Sequence, residues 1–302
     1  MNLMSSIKRI LAEKQLRNSI ILVIVFLVML ATFVLISTPY DKAPTIIHVG
    51  RGYSTTKIST DLKDKNVIRS EKVFKIFMKV FQTSRGMPVG DYYFNGEPVW
   101  KVAFMLAHGD HHIVPIKVTF PEGITNEQMA GILEKRLPDF NTLDFLVRVN
   151  GKQGYLFPDT YFFYPKTTMD EVFDALQSNY SKKIDSLSSD FAKSNHTRKE
   201  IIIMASILED EAKGDIDNGT ISGILWKRLK NGMLLQVDAA KDTYKIKGLP
   251  SNPISNPGMS SIRAALYPVD SSYLFYLHGK DGIVHYAATF AEHKNNIKKY
   301  LK

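Results

Sequence analysis

The sequence contains no cysteine in 302 residues. A disulfide scaffold, a thiolate zinc site and a cysteine nucleophile are therefore excluded. The absence suits an oxidising compartment, where stray thiols are a liability, without fixing one. Long polar stretches are also scarce. Outside the N-terminal tail the main one is "SKKIDSLSSDFAKSNHTRKE", Ser181 to Glu200, which reads as a helix end followed by a loop. No basic stripe is interleaved with aromatics, so nucleic acid is not the expected partner, although the net charge is +9.

Charge itself is missing from one run. "SIILVIVFLVMLATFVLIS", from Ser19 to Ser37, is 19 residues without a charged side chain. As a helix it spans roughly 29 Å, about one bilayer core. A secretory signal would have a shorter apolar region and a small-x-small cleavage site, and "STPYDKAP" is a poor one. The run reads as an uncleaved transmembrane helix, 19–38. A cytoplasmic tail, 1–18, precedes it, in which Lys8, Arg9, Lys14 and Arg17 face Glu13 alone. The positive-inside rule keeps this end in the cytoplasm and puts everything from Pro39 onward outside. The tail supplies three of the net positive charges, so the exterior part remains basic. An anionic lipid or wall polymer could meet such a surface, and so could water alone.

After a short linker, two segments follow one plan: "IIHVGRGYSTTKISTDL" and "IKVTFPEGITNEQMAGIL". With Gly52 aligned to Gly123, cap residues Ser54 and Thr125 coincide, as do Leu62 and Leu133. Thr125 and Gln128 have capping-box spacing. A strand–turn–helix unit used twice is expected, within a small α+β module over 45–137. Between the copies, Val73, Phe74, Phe77, Met78 and Phe81 recur at helical spacing and predict a core-facing helix, and a second helix is expected from about Pro98 to Ala107.

"HGDHH" gathers His108, Asp110, His111 and His112. Adjacent histidines point apart and no further group pairs with them at motif spacing, so the expected role is a polar loop, with no metal. "GYLFPDTYFFYP", Gly154 to Pro165, is densely aromatic around a Pro-Asp turn. Core packing is the commoner fate of such residues, and stacking on sugar rings the other.

The chemistry-bearing stretch is "HTRKEIIIMASILEDEAKGD". Thr197 and Glu200 form a capping box, and Gly214 suits the C-terminal side, giving a helix from Arg198 to near Ala212. It is apolar nearly all round, so burial by the rest of the fold is expected. At about 100° per residue, Glu209 falls in the stripe of Ala205 and Ala212, whereas Asp210 and Glu211 point elsewhere. Acids near a helix C-terminus oppose the macrodipole, and apolar neighbours desolvate them; both disfavour ionisation and favour a general acid. Spacing alone leaves the blander reading open, in which Glu209 pairs with a basic side chain.

Downstream, a helix from Thr220 to about Lys230 leads to a glycine turn and a short predicted strand. There Gln236 and Asp238, two apart, share a face as polar contacts to a substrate. "GLPSNPISNPG" must form an ordered irregular loop, of the kind that lines sites. A short helix, a β-hairpin around "KDG" and an amphipathic terminal helix complete the chain.

Taken in order, "PEG", "GYLFPDTY", "ASILEDE", "NGMLLQVD", "TYKIKGLPSNPISNPG", "AALYP", "SYLFY" and "EHKNNIKKY" resemble the YceG-like family of endolytic murein transglycosylases over nearly the whole chain. The resemblance implies an α+β protein: a single N-terminal transmembrane helix, a LysM-like module (45–137) and a mixed α/β catalytic domain (138–302). It implies a lyase of the cytoplasmic (inner) membrane, with its catalytic domain outside and no cofactor. Such an enzyme cleaves MurNAc–GlcNAc β-1,4 bonds of peptidoglycan glycan strands to leave 1,6-anhydro ends, in company with wall-synthesis complexes. Glu209 corresponds to the family's catalytic glutamate; Gln236, Asp238 and Asn256 are the expected substrate contacts beside it. Two departures stand out: Ala239 replaces the proline usual after "LQxD", and only "AAKD", Ala239–Asp242, separates Asp238 from Thr243, where the family usually has a longer insertion. A hydrolytic muramidase using Glu209 with Asp238, and a non-catalytic anchored wall-binding protein, are the alternatives.

Overall fold

The computed structural model describes residues 3–36, 44–81, 86–211 and 218–301. The linker residues 37–43 and the helix-end residues Ala212 and Gly214 lie outside them. Helix α1, Leu3–Ile36, contains one segment, Glu13–Phe33, long and apolar enough to cross a membrane, and none of that segment is buried against the protein.

By compactness the chain divides into residues 1–114 and 115–302. In the first unit, β1 (Thr45–Val49) pairs antiparallel with β2 (Gly90–Phe94), with Ile47 opposite Tyr92. Helices α2 (Thr55–Asp64) and α3 (Glu71–Phe81) lie between them in sequence, and α4 (Val99–His108) follows. Ile47, Val49, Tyr92 and Phe94 join Ile58, Leu62, Phe74 and Met78 in one core. The turn before α2 uses Gly52 at φ 78°, a left-handed conformation that glycine adopts freely, and Ser54 then accepts the Lys57 N–H at 3.2 Å. Of the apolar residues predicted to face the core from α3, only Phe74 and Met78 are fully buried; Val73, Phe77 and Phe81 are at its edge.

The "HGDHH" side chains go separate ways. His108 Nδ1 lies 2.9 Å from the Phe104 carbonyl, His111 Nδ1 3.0 Å from the Asp91 carbonyl, and His112 Nε2 3.1 Å from Asp110.

In the second unit, β3 (Ile116–Thr119) is followed by α5 (Asn126–Arg136) and α6 (Thr142–Arg148). β3 pairs antiparallel with β4 (Thr160–Phe163). Gly123, at φ 77°, and a complete Thr125–Gln128 capping box repeat the first unit's strand–turn–helix plan. The second copy finds its strand partner after it in sequence, so the compact division falls at 114/115, whereas the module boundary was expected at 137/138. α7 (Met169–Asp185) covers this sheet through Val172, Phe173 and Leu176.

The stretch expected to be a polar loop contains a short helix, α8 (Ser188–Lys193), because Leu187 and Phe191 pack on the next core. That core is built on α9 (Arg198–Glu211), α10 (Asn218–Lys230) and α11 (Met259–Leu266). Strands β5 (Phe275–His278) and β6 (Val284–Ala287) form the predicted hairpin. α12 (Phe290–Tyr300), capped by Thr289 and Glu292, ends the described chain.

Candidate active site

Helix α9 delivers the acids. Thr197 and Glu200 cap its start reciprocally: the Thr197 N–H donates to Glu200 at 2.8 Å and the Glu200 N–H to Thr197 at 3.2 Å. From Ile201 to Leu208 every residue is buried, as an all-round apolar helix requires. Beyond that buried stretch the last turn reaches solvent, with Glu209 and Glu211 half-buried and Asp210 exposed.

The Asn-Pro loop is strapped to this helix. Ser206 Oγ accepts the Ile254 N–H at 3.0 Å, and Ser255 Oγ donates to the Ser206 carbonyl at 3.3 Å. Three residues after Ser255, the Gly258 N–H donates to Glu209 Oε2 at 2.8 Å. Among the described residues Oε1 accepts no hydrogen bond. A Cβ on Gly123 would lie 3.3 Å from both Glu209 Cγ and Asp210 Oδ1. The bare backbone of Gly123 thus leaves room beside Glu209, and the Gly258 N–H bond orients one carboxyl oxygen.

Asn256 sits differently from its expected place at a substrate. It is fully buried. Its Oδ1 accepts the Gly154 and Leu156 N–H groups at 2.8 and 3.2 Å. Its Nδ2 donates to the Ile124 carbonyl and Asn126 Oδ1, both at 2.9 Å. All its amide valences are used within the protein, so it locks the "PEG", "GYLFPD" and Asn-Pro loops together.

Beside the acids opens a cleft of about 750 Å³, lined among others by Asp210, Glu211, Gln236, Asp238, Tyr276 and His293. Gln236 and Asp238 do share it, although not on the predicted strand. Gln236 has φ 54°, and residues 236–243 form a loop closed by Thr243: the Val237 N–H donates to Thr243 Oγ1 at 3.1 Å, and that hydroxyl donates to the Ala240 carbonyl at 2.6 Å. The left-handed residue breaks the extended chain that the spacing implied.

Glu211, which the helical phase points away from Glu209's stripe, takes part in this cleft. Its Oε2 accepts the Tyr276 hydroxyl at 3.1 Å and its Oε1 the Ala239 N–H at 3.3 Å. Tyr244 donates to Asp238 at 2.7 Å. Burial, and then the Glu211 charge, push the Tyr276 phenol far up, and the bond to Asp238 raises that of Tyr244, so both remain donors. Partial desolvation at its inner side raises the Asp210 carboxyl, and neighbouring Glu209 and Glu211 add to that, against a bond from Ser255. Buried Arg228 holds the cleft's floor by donating to the Leu235 and Leu274 carbonyls at 2.6 and 2.7 Å. Tyr276, Tyr244 and Arg228 were not legible as site residues, since each became one only through hairpin β5–β6 and the 236–243 loop.

A larger cavity, about 1390 Å³, lies at the other end of α9, where His196 stacks on Trp226 at 3.5 Å. Its Glu200 is committed to the helix cap and its Asp270 pairs with Lys227 at 3.2 Å, so acid chemistry belongs to the C-terminal end.

The family model of the YceG-like family matches residues 47–241 and 242–299; the break falls inside Ala239–Asp242, where the sequence departs from the family pattern. An endolytic murein transglycosylase of Bacillus subtilis (strain 168) is 28% identical over 311 residues, covering 86% of each chain. One from Streptococcus pneumoniae serotype 2 (strain D39) is 22% identical, covering 86% of this chain and 59% of its own length. A crystal structure of a yceG-like protein from Listeria monocytogenes superposes with a TM-score of 0.54 at 26% identity, over 84% of this chain and 99% of that one. The chain belongs to the YceG-like family.

Proposed function

We propose that this protein is a peptidoglycan lytic transglycosylase, a lyase in which Glu209 is both general acid and general base. The carrying observation is the Glu209 carboxyl, beside Gly123 and with one oxygen oriented by the Gly258 N–H, the other accepting no hydrogen bond among the described residues. Relatives named endolytic murein transglycosylase support the reading. Protonated Glu209 gives its proton to the glycosidic oxygen between MurNAc and GlcNAc as the C1–O bond breaks. The carboxylate then takes the proton of the MurNAc C6 hydroxyl while O6 bonds to C1, leaving a 1,6-anhydro end. No water enters, and the nucleophile is already part of the substrate, which makes ring closure effectively unimolecular. Gln236 and Asp238 present polar groups to the strand along the adjoining cleft.

Helix α1 is assigned as the anchor in the cytoplasmic membrane, with the N-terminus inside. The part of the expected 45–137 module that falls in the first unit, two helices between paired strands, is assigned as LysM-like, and termination of nascent strands beside the synthesis machinery as the setting.

The test is mass analysis of products from purified wall, wild type beside Glu209→Gln. Loss of about 10²–10⁴-fold in anhydro-product release, with the fold kept, is expected for removal of a general acid. Undiminished activity in the variant would end the assignment. Products one water heavier identify a muramidase instead, with Asp238 as base or nucleophile. Binding to wall without cleavage identifies a non-catalytic binding protein.

A further inference from the structure

Helix α3 carries more apolar surface than the core of the first unit uses. Phe74 and Met78, one turn apart, are buried. Ile76 and Val80, one turn apart on another side, are 54% and 70% exposed. Helix α4 adds Trp100 and Phe104, each 41% exposed. Aromatic rings join the two helices: Phe77 stacks on Phe81 at 6.0 Å, and Phe81 meets Phe104 edge-on at 5.7 Å. The file reaches α1, where the Phe33 ring lies 6.3 Å from Phe77. Lys72 and Lys79, both exposed, lie beside Ile76 on the polar flank of α3.

A contiguous exposed apolar face marks something that covers it. Continuity points to the occupant. Phe33 belongs to the segment long and apolar enough to span a bilayer, and the ring file starts there. Residues 37–44 connect α1 to β1, and even fully extended such a tether reaches only about 30 Å. The first unit is therefore held at the membrane surface. Tryptophan and lysine around an apolar stripe is the composition that settles at the boundary between headgroups and acyl chains.

We propose that the α3–α4 face lies in the outer interface of the membrane that α1 crosses. Ile76, Val80, Trp100 and Phe104 enter the headgroup–acyl boundary, and Lys72 and Lys79 meet anionic headgroups. The proposal rests on the reading of α1 as an anchor. It orients the first unit on the bilayer, so that glycan is met at a fixed height and angle.

The chain has two tryptophans, so Trp226→Phe leaves Trp100 as sole reporter. This full-length variant, reconstituted sparsely in phosphatidylglycerol–phosphatidylcholine vesicles, should lose Trp100 emission when the acyl chains are brominated. Adding Ile76→Glu and Val80→Glu, both at exposed positions, should abolish that quenching. Because the chain lacks cysteine, Val80→Cys in the otherwise native protein takes an environment-sensitive dye and gives the same readout without touching either tryptophan. Retention on alkaline carbonate extraction with Trp100 unquenched overturns the docked face alone, whereas release by carbonate overturns the anchor reading beneath it. Shielding from aqueous acrylamide without quenching by brominated lipid shows protein on the face, a second copy or another chain, and also overturns the proposal.

Discussion

Asn256 offers the sharpest division between what the chain's chemistry requires and what its fold requires. Asn256→Ala removes an acceptor shared by the Gly154 and Leu156 N–H groups and a donor to Asn126 Oδ1. The Ile124 carbonyl keeps a second partner, the Asn256 backbone N–H at 3.0 Å, so three buried groups lose their bond. At about 1–3 kcal/mol for each buried unsatisfied group, the cost is about 3–6 kcal/mol after allowance for partial rescue by water. That is a large part of the roughly 5–15 kcal/mol that holds a typical domain. Equilibrium denaturation should show the midpoint fall by the corresponding amount with no rise in KM for glycan at temperatures where the variant is folded. Asn256→Asp should do no better, since it sets a carboxylate oxygen against the Ile124 carbonyl and Asn126 Oδ1. A variant with native stability and raised KM would refute the structural reasoning and restore Asn256 as a substrate contact.

Other outcomes follow from neighbouring geometry. Gly223→Ala would bring a Cβ within the space of the Val269 carbonyl oxygen, a backbone atom that cannot swing aside. A loss of at least about 2 kcal/mol is expected in thermal or urea unfolding, in line with other overpacked cores. Asp210 has its carboxyl raised in the folded state, so its stabilising contribution is complete below the ordinary aspartate range and lost as pH rises through the raised value. Asp210→Asn should therefore raise the melting temperature at pH 7 more than at pH 4; an equal shift at both would count against the desolvated site. Tyr276→Phe removes the hydroxyl that Glu211 accepts. Activity on glycan should drop by an amount that Glu211→Gln does not increase further when the two are combined, because both act on one bond.

The acid cleft shows how far local rules reach. Capping boxes at Thr125 and Thr197, the hairpin around Asp281–Gly282 and the buried α9 were all legible, because caps, turns and hydrophobic periodicity act over a few residues. The strand predicted for Gln236 and Asp238 failed where Gln236 turns left-handed, a conformation imposed by the loop that Thr243 closes. In α3 the periodicity marked five core residues, yet only two are fully buried: a pattern reports which side is apolar, not how much of it the fold covers.

By itself the sequence determined the apolar N-terminal run, the caps that start the helices and the helical phase that separates Glu209 from Asp210 and Glu211. These depend on neighbours within a turn or two. Only tertiary structure decided that Asn256 is a buried clamp, that Gly258 orients Glu209, and that Glu211 meets Tyr276. Each of those contacts joins residues about 50 to 100 positions apart. No local preference encodes such a meeting; it is fixed only when the separate cores close and every buried polar group must find its partner.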